Sequence, residues 1–97
     1  MTAADDQAFV HALGLRVRVL RAGRRLSQEH LATACGLSRV AVSNLETGAH
    51  APNILTLRRL ATALDVSLTT FVDEESTDPL RLARLAGSDS RPAPRRR

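Results

Sequence analysis

The chain has 97 residues, of which 43% are hydrophobic, and its 14 basic residues outnumber 10 acidic ones for a net charge of +4. This length allows one small domain with a modest core. Two phenylalanines are the only aromatic residues, so Leu, Val and Ala must fill the interior, which is typical of an all-α bundle. One cysteine excludes an intrachain disulfide and a Cys/His zinc site. No apolar run reaches membrane-spanning length and the N-terminus lacks the features of a signal peptide, so a cytoplasmic protein is expected.

Positive charge is concentrated in the middle of the sequence. Residues 9–64 carry eight arginines against Glu29 and Glu46, an excess of six positive charges. Residues 1–8 and 65–86 are net acidic, and residues 87–97 are again basic. A basic central region attracts the phosphate backbone of nucleic acids, although a merely solvated basic face is the alternative interpretation.

The first predicted helix spans residues 5–22. Apolar residues recur at helical spacing on one of its faces, and these are Phe9, Leu13, Val17 and Leu20. Three arginines are expected to project away from that face, namely Arg16, Arg18 and Arg24. The helix should therefore cover the elements that follow it.

Residues 26–48 predict two short helices separated by a glycine. Ser27 can cap the first helix, and Gly36 lies where a left-handed residue ends a helix. Ser38 can cap the second helix, which Gly48 ends. The apolar residues of the pair recur at the spacing of one helical face, and they are Leu31, Ala32, Cys35, Val42 and Leu45. This arrangement is a helix-turn-helix, which indicates DNA binding.

The segment after Gly48 predicts a loop and two further helices. Pro52 bars helix continuation, and Asn53 can cap a helix over residues 54–64. The buried stripe of that helix is expected to contain Ile54, Leu57, Leu60, Ala61 and Leu64. A short fifth helix after Ser67 is expected to close the bundle, with the apolar residues Val66, Leu68 and Phe71.

The C-terminal part predicts an additional helix and a tail. Asp78 can cap this helix, Pro79 suits its first turn, and Gly87 ends it. Residues 88–97 hold four arginines and two prolines without apolar periodicity, so they are expected to be flexible, either solvated or as an arm that touches DNA. The predicted organisation is therefore a helix-turn-helix domain at 1–75, an additional helix at 76–87 and a basic tail at 88–97.

The pattern from about Leu13 to Val72 resembles the lambda-repressor-like, or XRE-type, helix-turn-helix family. The matching residues are Arg21, Ser27, Gln28, Leu31, Ala32, Gly36, Ser43, Leu45, Glu46, Gly48, Pro52, Leu57, Leu60, Ala61, Ala63 and Leu64. One departure is His30, where family members commonly carry a glutamate that completes a capping box. The resemblance implies an all-α, five-helix lambda-repressor-like bundle, here with the additional C-terminal helix. It also implies an Arg21–Glu46 ion pair, and if this pair is largely buried, loss of one partner should cost about 3–5 kcal/mol.

The outward side of the second motif helix is the predicted base-reading surface, because an α-helix fits the major groove. Arg39 and Asn44 rank first as base readers, followed by Val40 and then by the small Ser43. The planar fork of Arg39 can donate two hydrogen bonds to guanine, worth about 1–3 kcal/mol of discrimination. A solvated or phosphate-bound arginine is the alternative interpretation.

Contacts to the DNA backbone are expected around this surface. The family resemblance implies that Gln28, Ser38, Thr47 and the loop around His50 face phosphates, where they fix the docking position. Arg25 is expected to add electrostatic attraction from the preceding loop. An exposed loop histidine without a DNA contact is the alternative interpretation of His50.

No catalytic constellation or cofactor motif competes with DNA binding, so the protein is not expected to be an enzyme. The acidic run at residues 73–75 is interpreted as a solvated loop. No metal is expected, since His11 and His30 lack metal-binding companions. Cys35 is interpreted as a core residue, with a redox-sensing thiol as the less favoured alternative.

The predicted function is a DNA-binding transcriptional regulator that represses from a palindromic operator as a homodimer, since members of this class bind inverted half-sites. Interface candidates are the fifth helix around Phe71 and Val72 and the additional helix at residues 80–85. Alternatively, Leu15 and Val19 on the first helix receive that additional helix. Two other functions stay open, namely an antitoxin that represses its own operon and neutralises a toxin, and an adaptor that binds proteins.

Overall fold

The computed structural model describes residues 2–73 of the chain, most of which are helical. The helices are α1 (Ala3–Gly23), α2 (Gln28–Cys35), α3 (Arg39–Thr47), α4 (Ile54–Leu64) and α5 (Thr69–Val72). The predicted all-α, five-helix architecture is confirmed. The predicted additional helix at 76–87 and the tail at 88–97 lie outside the described residues. Among the helices of residues 2–73, none has the length and apolar character needed to cross a membrane.

Side-chain caps begin the helices at the residues that the sequence predicts. Ser27, Ser38 and Asn53 each accept a hydrogen bond from the backbone N–H three residues further on. These bonds satisfy donors that have no partner within the helix. The first helix begins two residues before its predicted start, because Thr2 and Asp5 form a reciprocal capping box that the prediction missed.

Glycines end both helices of the motif. Gly36 and Gly48 adopt left-handed backbone conformations with φ angles of 69° and 82°, which cost glycine little because it has no Cβ. The Leu37 N–H also donates to the Ala32 carbonyl at 2.8 Å. The turn between α2 and α3 is therefore fixed by a backbone hydrogen bond that spans Gly36.

One apolar core lies between the helices. Its buried residues are Leu13, Val17, Leu20, Leu31, Ala32, Cys35, Val42, Leu45, Leu57, Leu60, Ala61, Leu64 and Phe71. Leu68 and Val66 pack against this core, while Phe9 is half-buried near the start of α1. The core thus includes residues from all five helices, and it gives the two short motif helices the tertiary packing they need to be stable.

The prediction that Ile54 belongs to the buried stripe of α4 is wrong. Ile54 is 59% exposed, and Leu55, which points about 100° further around the helix, is 58% exposed. The first two residues of α4 therefore lie outside the core, and burial begins at Leu57. Helical periodicity identifies the buried face of a helix but does not show where along the helix burial begins.

Arg16 was expected to project away from the apolar face of α1, and this prediction is also wrong. Arg16 is only 2% exposed, and its Nη1 donates to the Phe71 carbonyl oxygen at 2.5 Å. That carbonyl lies in the last turn of α5, where a cation is favoured by the unpaired backbone oxygens. The hydrogen bond from Arg16 to this carbonyl therefore holds the short helix α5 against α1.

The close contact between α1 and α3 depends on Gly14. A Cβ atom added there would lie 2.4 Å from the Leu45 carbonyl oxygen and 2.7 Å from the Glu46 carbonyl oxygen. Both neighbours are backbone atoms, which cannot move away as a side chain can. Gly14 therefore sets how near α1 lies to the C-terminal half of α3.

The substitution Gly14→Ala tests the close contact between α1 and α3, because its effect on helix propensity and its effect on packing have opposite signs. Alanine is favoured over glycine by about 1 kcal/mol inside a helix, but the new methyl group would overlap backbone oxygens of α3. We expect a net loss of about 1–3 kcal/mol in the free energy of unfolding, measured by urea denaturation. The control is Gly23→Ala at the exposed end of the same helix, which should leave stability unchanged or raise it. A Gly14→Ala protein as stable as wild type would contradict the close contact.

Candidate nucleic-acid interface

One side of α3 faces solvent and carries the four predicted base-reading residues. Arg39 and Val40 are exposed, and Ser43 and Asn44 are half-buried. At about 100° per residue these four positions share an arc of about 140°. The core-facing residues Val42 and Leu45 occupy the other side of the helix. The structure therefore brings all four side chains to one edge of the bundle.

The implied partners Arg21 and Glu46 form an ion pair in the structure. Arg21 Nε lies 2.6 Å from Glu46 Oε2, and Arg21 Nη2 donates to Glu46 Oε1 at 3.1 Å. The two side chains are 15% and 3% exposed. Arg21 Nη1 also donates to the Leu26 carbonyl at 2.7 Å. Two guanidinium nitrogens thus bind the carboxylate in the last turn of α3, and the third binds the loop before α2. Arg21 therefore connects the end of α1 to both of these segments.

Gln28 connects the ion pair to the exposed edge of α3. Its Nε2 donates to Glu46 Oε1 at 3.1 Å, and its Oε1 accepts a hydrogen bond from Arg39 Nη1 at 3.4 Å. The carboxylate can only accept and the guanidinium can only donate, so these two neighbours determine which way the amide points. The contact between Gln28 and Arg39 was not predicted, because only the folded turn brings residues eleven apart together.

Hydrogen bonds to one carbonyl oxygen hold the loop after α3 against the end of that helix. The Asn44 carbonyl accepts from Ala49 N at 2.9 Å, from His50 N at 3.3 Å and from the Thr47 hydroxyl at 3.1 Å. Thr47 and His50 are themselves exposed. The structure thus places these two predicted backbone-contact residues at the C-terminal end of α3, Thr47 in its last turn and His50 in the loop that follows.

The other two predicted backbone-contact residues lie in turns. Ser38 is exposed and its hydroxyl oxygen accepts from Ala41 N at 3.0 Å, so it caps α3. Arg25 is exposed in the α1–α2 turn with a φ angle of 60°. A left-handed arginine is uncommon, and glycine or asparagine would adopt this conformation at lower cost.

The structure shows the environment of the single cysteine. Cys35 is buried in the core, and desolvation raises the pKa of its thiol, an effect that the positive charge of Arg59 partly offsets. A raised pKa disfavours the reactive thiolate, which supports the interpretation of Cys35 as a core residue. Within residues 2–73 no three His, Cys, Asp or Glu side chains are grouped in a way that could hold a metal ion.

Two short helices joined at a glycine turn, with an exposed edge on the second helix and a bundle behind them, define a helix-turn-helix DNA-binding domain. The chain belongs to the helix-turn-helix family of the XRE, or lambda-repressor-like, type. The family model described as Helix-turn-helix matches residues 17–71, which is more than half of the chain.

Two known proteins show this similarity in detail. The immunity repressor protein of Bacillus phage phi105 is 33% identical over 64 residues, which make up 66% of this chain and 44% of the phage protein. The match thus spans less than half the length of that relative. The crystal structure of the restriction-modification controller protein C.AhdI from Aeromonas hydrophila has a TM-score of 0.64 and 38% identity. It covers 66% of this chain and 97% of the controller protein.

Replacing Arg21 by methionine tests the buried ion pair. The Glu46 carboxylate, 3% exposed, would lose its charged partner. We expect the free energy of unfolding to fall by about 3–5 kcal/mol in urea denaturation. Arg21→Met/Glu46→Leu removes both charges and should recover much of that loss, because apolar pairs often replace buried ion pairs without penalty. A single variant as stable as wild type would show that the pair does not hold the bundle together.

Proposed function

We propose that this protein is a transcriptional regulator that reads duplex DNA with the exposed edge of α3 and represses by occupying an operator. The observation that carries the proposal is Arg39, exposed in the first turn of α3 and hydrogen-bonded to Gln28. Membership of the helix-turn-helix family supports DNA binding, and the similarity to a phage immunity repressor supports repression. Such a regulator would act in the cytoplasm.

The four residues on the exposed edge differ in what they can recognise. Arg39 can donate two hydrogen bonds to the O6 and N7 atoms of guanine, and Asn44 can pair with adenine in the same two-bond manner. Val40, 57% exposed, suits the methyl group of thymine. Ser43 is small enough to let the helix approach the bases closely.

Phosphate contacts on both sides of α3 would fix the docking position. Ser38 and Arg25 precede the helix, Thr47 is its last residue, and His50 follows it. All four are exposed. Contacts of this kind set the register of a protein on the duplex and make affinity depend on salt, but they do not read sequence directly.

Gln28 has a role beyond the phosphate contact that the family resemblance implies. Because its amide bridges Glu46 and Arg39, the buried ion pair positions the guanidinium before DNA arrives. A side chain held in its binding geometry loses less conformational entropy on association. The same bridge would favour the arginine orientation that presents its fork to the groove.

A homodimer on a palindromic operator remains part of the proposal. Phe71, one of the predicted interface residues, is fully buried in its own bundle and cannot contact a second copy directly. Val72 is 39% exposed at the end of α5 and stays a candidate. Two copies related by a two-fold axis would place their α3 helices in successive major grooves, about one helical turn apart.

Antitoxin and adaptor functions rank behind repression. An interaction tail at residues 77–97 would suit an antitoxin, and these residues lie outside the described part of the chain. Nothing observed on residues 2–73 favours a toxin or another protein partner over DNA. The exposed edge of α3, in contrast, carries side chains suited to base recognition.

Arg39→Lys tests base reading, because it keeps the positive charge and removes the planar fork. We expect discrimination at one G·C pair to fall by about 1–3 kcal/mol, while affinity for unrelated duplex DNA changes little. Fluorescence anisotropy at fixed salt would compare a fragment selected from the native upstream region with its scrambled counterpart. The matched control is Arg58→Lys, an exposed arginine on α4, which should change neither affinity. Full retention of sequence preference by Arg39→Lys would remove Arg39 from the base-reading set.

A double-mutant cycle between Gln28 and Arg39 tests the proposed positioning. Gln28→Ala should weaken the preference for the selected fragment in the wild type, and should do so much less once Arg39 is alanine. The coupling is expected because Gln28 acts through the Arg39 guanidinium. A residue that contacts only phosphate would instead weaken all sequences equally in both backgrounds. That additive result would leave Gln28 as a backbone contact alone.

A further inference from the structure

The outward side of α1 carries a row of apolar residues. Residues spaced by four, three and four positions form this α1 stripe, which consists of Ala8, Ala12, Leu15 and Val19. Such spacing places side chains in one row along a helix and is the pattern that packs against a second helix. Leu15 is 43% exposed and Val19 is half-buried. Among residues 2–73, therefore, the centre of the row is left open to solvent.

The described part of the chain ends close to the α1 stripe. Arg16, the neighbour of Leu15, donates to the Phe71 carbonyl and thereby holds the end of α5 against α1. Val72, the last residue of α5, is 39% exposed. The 24 residues that follow Asp73 thus leave the bundle beside the side of α1 that carries the stripe.

The following segment has the sequence expected of a partner for this stripe. After the predicted cap Asp78, the apolar residues Leu82, Leu85 and Ala86 recur at spacings of three and one, which places them within an arc of about 100° on a helix, while Arg84 lies opposite and Arg81 at the edge of that arc. The five residue-to-residue steps from Asp73 to Asp78 can span up to about 17 Å. A tether this short keeps the segment at an effective concentration in the millimolar range.

We propose that the α1 stripe is the docking surface for residues 79–86 of the same chain. Leu82 and Leu85 cover Leu15 and Val19, Arg84 faces water, and Arg81 lies at the rim of the contact. Docking makes the segment a sixth element of the bundle. The basic residues 91–97 then start from a fixed place on α1, which limits the part of a bound duplex that they can reach.

Disulfide trapping in the full-length protein tests this docking. Leu15→Cys/Leu82→Cys should form an intramolecular disulfide under mild oxidation at least tenfold faster than the control pair Leu55→Cys/Leu82→Cys. Leu55 is a suitable control because it is an exposed leucine on another helix, with Arg58 and Arg59 in the same surface cleft. Arginines lie close in sequence to both positions, so a difference in rate reports proximity to residue 82 and not the reactivity of one thiol. The native Cys35 is 2% exposed and should not compete.

Gel mobility without reductant distinguishes the outcomes. A fast-migrating monomer supports docking within one chain, whereas a disulfide-linked dimer from the Leu15 pair would show that a second copy covers the α1 stripe. Equal rates for the two pairs would show that the segment has no preferred site. Both of these results overturn the proposal without affecting DNA binding by α3. As a second measurement, Leu15→Ser should speed amide hydrogen exchange of residues 82–86 at least tenfold, and unchanged exchange would also overturn it.

Discussion

The ion pair between Arg21 and Glu46 is the interaction on which the rest of this structure depends. It joins the end of α1 to the last turn of α3, and Arg21 also holds the Leu26 carbonyl in the loop that leads into α2. Helices as short as α2 and α3 are not stable alone and need such tertiary contacts. The Glu46 carboxylate accepts hydrogen bonds from both Arg21 and Gln28. The same side chain therefore helps to hold the two motif helices in the bundle and to orient Gln28 beside Arg39.

This arrangement would let a domain with few base contacts be selective, as the proposed function requires. Gly14 brings α1 close to α3, Gly36 fixes the turn, and the core behind Val42 and Leu45 prevents α3 from shifting. A rigid helix would meet the groove in one orientation, so a mismatched base would leave a donor or acceptor unpaired. The central cationic region adds attraction that is independent of sequence.

Local signals in the sequence predicted most of the fold, and long-range contacts account for what it missed. The caps Ser27, Ser38 and Asn53 and the stop at Gly36 are properties of a few neighbouring residues. The burial of Arg16 depends on a carbonyl 55 positions away, and the link between Gln28 and Arg39 depends on the folded turn. Periodicity could not exclude Ile54 from the core, because burial also depends on whether a neighbouring element covers that turn of α4, which the spacing of apolar residues does not show. The base-reading roles were inferred from residue type and family resemblance, and they remain proposals.

Selection from a random-sequence duplex library measures most directly whether the exposed edge of α3 reads DNA. The full-length protein should enrich a short half-site that contains a guanine, repeated with two-fold symmetry at a spacing of about one helical turn. The same selection with Arg39→Lys should lose the preference for that guanine while retaining DNA. Recovery of unenriched sequences by the wild-type protein, at a salt concentration low enough to retain duplex DNA, would contradict the account.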